Sequence, residues 1–120
     1  MDKITDRQLF DHVKEHYGAE PEYLWKRTPD AAVLRRSDNN KWFALIMTVQ
    51  ASKLGIGSDR RVRILNVKCD PLMGGSLIKK EGYFPGYHMN KQAWISILLD
   101  GTVPEEEVIS AIDISYTLTG

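Results

Sequence analysis

Apolar residues recur along this chain with two different periods, and the switch between them marks the elements. Leu9, Phe10, Val13 and Tyr17 fall on one stripe of a 3.6-residue repeat, which predicts an amphipathic helix. Thr5 and Gln8 have capping-box spacing at its start, and Gly18 supplies the stop. Residues 20–30 hold two prolines and read as a connecting arm whose Tyr23, Leu24 and Trp25 fold back onto the core. Strands are expected at 31–36, 41–50 and 62–69, separated by the turn cluster 37–40 and a glycine-containing loop over 51–61. Residues 42–49 are apolar at nearly every position, so that strand is central or covered on both faces. The turn at 37–40 is too short for a crossover, which makes the first three strands a meander.

Asp70-Pro71 is a helix start, a capping carboxylate followed by a residue with no amide to satisfy. Gly74 and Gly75 weaken that helix by about 1 kcal/mol each, so it is expected to begin late, near Ser76, and to end at Gly82. Residues 83–90 and 94–99 form a final hairpin, entered through Phe84-Pro85-Gly86 and turning at Asn90-Lys91. Thr102 to Glu105 then caps a last helix, in which Glu105, Glu106 and Glu107 complement the positive helix end. Val108, Ile109, Ile112 and Tyr116 form its inward stripe. The order α-β-β-β-α-β-β-α implies an α+β fold: a two-layer sandwich with an antiparallel five-stranded sheet and helices mainly on one face. The other face is expected to be at least partly open.

At 120 residues the chain is read as a single domain, residues 1–120. Hydrophobic residues make up 42% and charged residues 27%, which argues against disorder. No apolar run approaches the ~20 residues of a membrane span, and the first residues lack a signal-peptide plan. One cysteine, Cys69, excludes an internal disulfide and suits a reducing compartment, so a cytoplasmic location is expected.

Charge changes the picture more than composition does. Sixteen bases balance sixteen acids, yet residues 1–22 hold six acids and three bases, and residues 23–91 hold thirteen bases and five acids. Residues 92–120 hold five acids and no base. A basic middle between acidic ends can produce a strong local field without net charge.

Several stretches together resemble the MmcQ/YjbR family. They are Lys-Trp-Phe-Ala-Leu-Ile-Met (41–47), Ile-Leu-Asn-Val-Lys-Cys-Asp-Pro (64–71), Tyr-His-Met-Asn-Lys (87–91) followed by Trp94, and Leu-Asp-Gly (99–101). Val-Pro (103–104) and Asp-Ile-Ser-Tyr-Thr-Leu (113–118) complete the set, in order and across essentially the whole chain. The resemblance implies a fold likened to secretion chaperones and the bacterial frataxin homologue. It also implies DNA binding through a double-wing arrangement of hairpins, and it brings no catalytic residue. Gly74-Gly75 departs from the pattern, where a longer regular helix is usual.

The candidate DNA contacts are Arg35, Arg36 and Lys41 on the first hairpin, Arg60, Arg61 and Arg63 on the long loop and its strand, and Lys91 on the last hairpin. Trp42, Trp94 and Tyr87 are the aromatics that support them, and Trp25-Lys26-Arg27 repeats the basic-aromatic interleaving. The same cations also suit strand edges that must avoid pairing with other chains. His12 and His16 match the H-x-x-E-H spacing of a zinc peptidase, but without a third ligand region they read as a surface pair. Cys69 and His88 carry no local nucleophile signature, and residues 55–58 lack the lysine of a phosphate loop. The sequence therefore points to a non-enzymatic monomer with no metal or cofactor, binding DNA weakly and in a salt-dependent way. The alternative is a protein-interaction or chaperone-like adaptor using the open sheet face.

Overall fold

The computed structural model describes residues 3–120. Helix α1, Asp6–Tyr17, starts as its sequence dictates: Thr5 Oγ1 accepts from the Gln8 amide at 3.2 Å, and Gln8 Oε1 accepts from the Thr5 amide at 2.8 Å. Gly18 closes it in the left-handed region, at φ 67°. Leu9 and Val13 are fully buried on its inner stripe.

Five strands follow: β1 (Ala32–Arg35), β2 (Trp42–Gln50), β3 (Arg61–Lys68), β4 (Tyr83–Pro85) and β5 (Trp94–Leu98). They form one antiparallel sheet in the order β1-β2-β3-β5-β4. Helices α2 (Pro71–Leu77) and α3 (Glu105–Leu118) complete the expected α-β-β-β-α-β-β-α order. The chain is an α+β fold.

A β-bulge sets how the sheet meets α3. Register shifts between Leu34 and Arg35, which pair with Ala44 and Trp42, so Phe43 and Ala44 both join the helix-side core. The β2–β3 ladder ends at the Ala44–Val67 pair. Beyond it Ser115 of α3 takes over: its Oγ donates to the Phe43 carbonyl at 2.6 Å and accepts from the Lys68 amide at 2.8 Å. A buried serine thus satisfies two backbone groups that the ladder leaves behind.

Five sequence expectations are corrected here. Helix α2 starts at Pro71, where Asp70 accepts from the Leu72 and Met73 amides, and stops at Leu77 rather than Gly82. Gly74 is part of the reason it forms there: a Cβ on it would lie 2.8 Å from Cys69 Sγ, so only glycine lets the helix rest on that thiol. Strand β4 spans three residues instead of eight, because the Gly86 amide already bonds the Trp94 carbonyl and the chain then leaves the sheet over residues 86–93. The residue capping α3 is Pro104, with no side-chain cap, instead of a hydroxyl. On the arm only Trp25 folds back, edge-on to Trp42, while Tyr23 and Leu24 point to solvent.

The fifth correction concerns the sheet face away from the helices. It is not open. Val49, Val62, Ile64 and Leu98 form a second apolar cluster there, roofed by Leu54 and Ile56 from the β2–β3 connection and by Phe84 and Tyr87. Asn66 and Ser96 sit fully buried beside it, with the Ser96 hydroxyl donating to Asn66 and accepting from the Tyr87 amide.

Candidate nucleic-acid interface

Strand register separates the seven cations singled out in the sequence into two groups. Lys41 precedes β2 and Arg61 pairs with Gln50 at its other end, nine residues away. At ~3.3 Å per residue that is about 30 Å. Arg35, Arg36, Lys41 and Lys91 lie toward the first end, and Arg60, Arg61 and Arg63 toward the second.

The second group is largely spent on the fold. Arg63 bonds Asp6 of α1 at 2.7 Å, the Asp30 carboxylate at 3.2 Å and carbonyl at 2.7 Å, and Thr48 Oγ1 at 3.1 Å. It fastens the first helix and the arm to β3, with little left for a phosphate. Arg60 faces Asp100 at 3.6 Å. Burial pushes the Asp100 carboxyl up, but hydrogen bonds from Thr102 and the charge of Arg60 outweigh it, so the group stays below the usual carboxylate range. Of these three, Arg61 alone is exposed with no ion-pair partner among the described residues.

At the first end, Arg36 also serves the fold. Its Nε and Nη2 hold Asp38 at 2.9 and 2.7 Å, its Nη1 caps the Tyr116 carbonyl at the end of α3, and its guanidinium lies 3.9 Å over the Tyr116 ring. The hydrogen bonds from Arg36 hold the Asp38 carboxyl below its ordinary value. Arg35 Nε lies 3.0 Å from Glu22 but is misaligned for a hydrogen bond, and its guanidinium sits 6.0 Å from the Trp42 ring. Lys91 donates to the Gly86 carbonyl at 3.0 Å and clamps its own loop. Lys41 is exposed with its ammonium unpaired among the described residues.

The aromatics divide as well. Trp42 and Trp25 meet edge to face, with centroids 5.8 Å apart. Together with Leu45, Met47, His88 and Met89 they line a groove of about 290 Å³ on the face away from the helices. It lies between the arm and the 86–93 connection, which reaches back across the sheet to β2. His88 adopts φ 57°, a left-handed conformation that a non-glycine residue holds only under local constraint. Tyr87 belongs to the second apolar cluster, and its ring stacks edgewise on His88 at 4.1 Å. Trp94 is half-buried at the start of β5, opposite Lys68, outside this groove. The contributions of Leu45, Met47 and Met89 left no trace in the sequence beyond apolarity, since nothing local says that residues 86–93 pass β5 and β3 to reach β2.

Acid positions sharpen the contrast. Glu20, Glu22, Asp30 and Asp38 are all engaged, by Lys14, Arg35, Arg63 and Arg36 respectively. Lys26, Arg27 and Lys41 remain exposed and unpaired among the described residues, flanking Trp25 and Trp42. Each is next in sequence to a residue that lines the groove (Trp25, Thr28 or Trp42), so the local surplus beside it is positive.

The other candidate groups are placed elsewhere. His12 is not a surface residue: its Nε2 meets Asp113 at 2.7 Å, and Tyr17 donates to the same carboxylate at 2.6 Å, tying α1 to α3. Burial, then the hydrogen bond to Asp113, pushes the Tyr17 hydroxyl up. His16 instead bonds the His12 carbonyl. Cys69 lies in the helix-side core, across the sheet from the groove containing His88. Burial, then Asp70, pushes the Cys69 thiol up, away from nucleophilic character. Among the described residues, no helix is long and apolar enough to cross a membrane.

Comparison with known proteins agrees across nearly the full length. The chain is 45% identical over 116 residues to the "uncharacterized protein YyaQ" of Bacillus subtilis (strain 168), covering 97% of this chain and 98% of that protein. A crystal structure of a Pseudomonas syringae protein, 43% identical, superposes with a TM-score of 0.93 over 98% of this chain and 100% of that one. A Deinococcus radiodurans protein with a DUF419 domain shares the fold at 24% identity, with a TM-score of 0.75 over 96% of this chain and 78% of that one. The YjbR family model matches residues 14–118, and the chain belongs to the YjbR family.

Proposed function

We propose that this chain is a non-catalytic, cytoplasmic, monomeric domain that binds nucleic acid weakly, through the groove end of the sheet. One observation carries the reading: every acid between residues 20 and 41 is already engaged, which leaves Lys26, Arg27 and Lys41 unpaired among the described residues and next in sequence to groove residues that include two tryptophans. A polyanion gains from such a surplus by releasing its counterions. Arg60 and Arg63 drop out of the interface, since Asp100 and Asp6 neutralise them. Three phosphate contacts correspond to a log–log salt slope of about −2 to −3, a loss of roughly 20- to 40-fold in affinity between 50 and 200 mM salt. Fluorescence anisotropy with labelled DNA across that range tests it; salt-independent binding, or none at 50 mM, refutes it.

A protein-interaction adaptor is the second reading, and a different surface supports it. Leu72 of α2 is 86% exposed, with Met73 and Ile78 also turned to solvent. Such a patch suits a partner protein on the helix side, in place of the sheet face that the connections cover. Leu72→Asp discriminates: it leaves DNA binding unchanged and abolishes a protein interaction seated on α2.

A further inference from the structure

We infer that the groove between the arm and the 86–93 connection receives an unpaired nucleobase, so that the protein prefers single-stranded nucleic acid to duplex. This rests on the nucleic-acid reading above and specifies its substrate. The groove is a recess of about 290 Å³ walled by the rings of Trp25, Trp42 and His88 and floored by Leu45 and Met47. That volume lies at the lower bound of the ~300–1,000 Å³ range of small-molecule sites. A single base fits this scale, and only a base that projects from its strand can reach it, because duplex bases are stacked and paired. The rim decides which flat apolar group enters. A base always arrives with a phosphate on either side of it, matching Lys26, Arg27 and Lys41 beside the lining, whereas an apolar side chain of a protein partner brings such charge only where acids flank it. Aromatic walls between unpaired cations are the arrangement by which proteins hold single strands through stacking and backbone charge together.

The floor also sets the selectivity. Leu45 and Met47 offer no strong hydrogen-bonding side-chain group, so base choice rests on stacking strength and on the few polar groups of the lining, the Thr28 hydroxyl and the His88 imidazole among them.

The test titrates the full chain at 50 mM salt with three probes: a twelve-nucleotide oligothymidine, the same backbone with abasic sites, and a twelve-base-pair duplex. Anisotropy reports binding and intrinsic tryptophan fluorescence reports stacking. The oligothymidine is expected to bind about tenfold tighter than either other probe and to quench the fluorescence. Trp25→Ala, on the exposed arm, removes the preference and most of the quenching, and a melting curve verifies its fold. Equal binding of all three probes without quenching overturns the base site and leaves phosphate binding standing. Binding of none of them overturns both.

Discussion

The two ends of the central strands carry similar numbers of basic residues and use them in opposite ways. Around Arg60 to Arg63, cations are met by acids from distant parts of the chain: Asp6 from α1, Asp30 from the arm and Asp100 after β5. Around Trp25 and Trp42 the local acids are consumed by other partners, and three cations are left over. A count of lysines and arginines treats the two ends as equals. Pairing separates them into a structural clamp and a charged rim, since opposite charges in contact largely cancel the field beyond a Debye length.

The largest expected effect comes from breaking the clamp. Arg63→Ala leaves the partly buried Asp6 carboxylate and the exposed Asp30 without their partner and should cost about 1–2 kcal/mol of stability, read by urea denaturation. A loss below ~0.5 kcal/mol would mean that Arg63 is not holding α1 and the arm. The converse variant, Lys26→Ala with Arg27→Ala and Lys41→Ala, should keep stability within about 0.5 kcal/mol, as surface substitutions usually do. It should remove the roughly 20- to 40-fold salt dependence of DNA binding.

The Arg60–Asp100 ion pair at the clamp end gives a smaller, pH-dependent contrast. The folded Asp100 carboxyl titrates below its unfolded counterpart, so its contribution is fully present above the ordinary carboxylate value, near 4, and is lost as pH falls through the lower folded value. Asp100→Asn should therefore flatten the stability profile below about pH 4 and leave its shape above pH 5 unchanged; an altered slope near neutrality would contradict that. Smallest of all is Arg61→Ala, which removes an exposed cation about 30 Å along the sheet from Lys41 and should change DNA affinity by less than about twofold. Should it match the triple variant, the division between the two ends is wrong.

Legibility in the sequence followed the range of the interactions. Thr5, Gln8 and Gly18 bounded α1 because a capping box and a left-handed glycine act within one turn. The five strands and α3 were visible for a similar reason, since alternating or continuous apolarity is a local property. Helix α2 was misplaced because propensity counted Gly74 as a weakness, whereas the approach of Cys69 makes it a requirement. Candidate contacts fared worst. Arg36 looked like a phosphate ligand and is a cap for α3, reaching a carbonyl 80 positions away. Arg63 looked the same and is bound to an aspartate 57 positions away.

Element order, the antiparallel α+β plan and the surplus of cations in the middle of the chain are all legible before folding, because each is written in neighbouring residues. Which of those cations stay unpaired among the described residues, and that Trp25, Trp42 and His88 line a common groove, comes from the folded arrangement alone. Those outcomes depend on long-range partners: a salt bridge or an aromatic contact forms wherever the fold brings two groups within a few ångströms, and one-dimensional spacing carries no record of that distance.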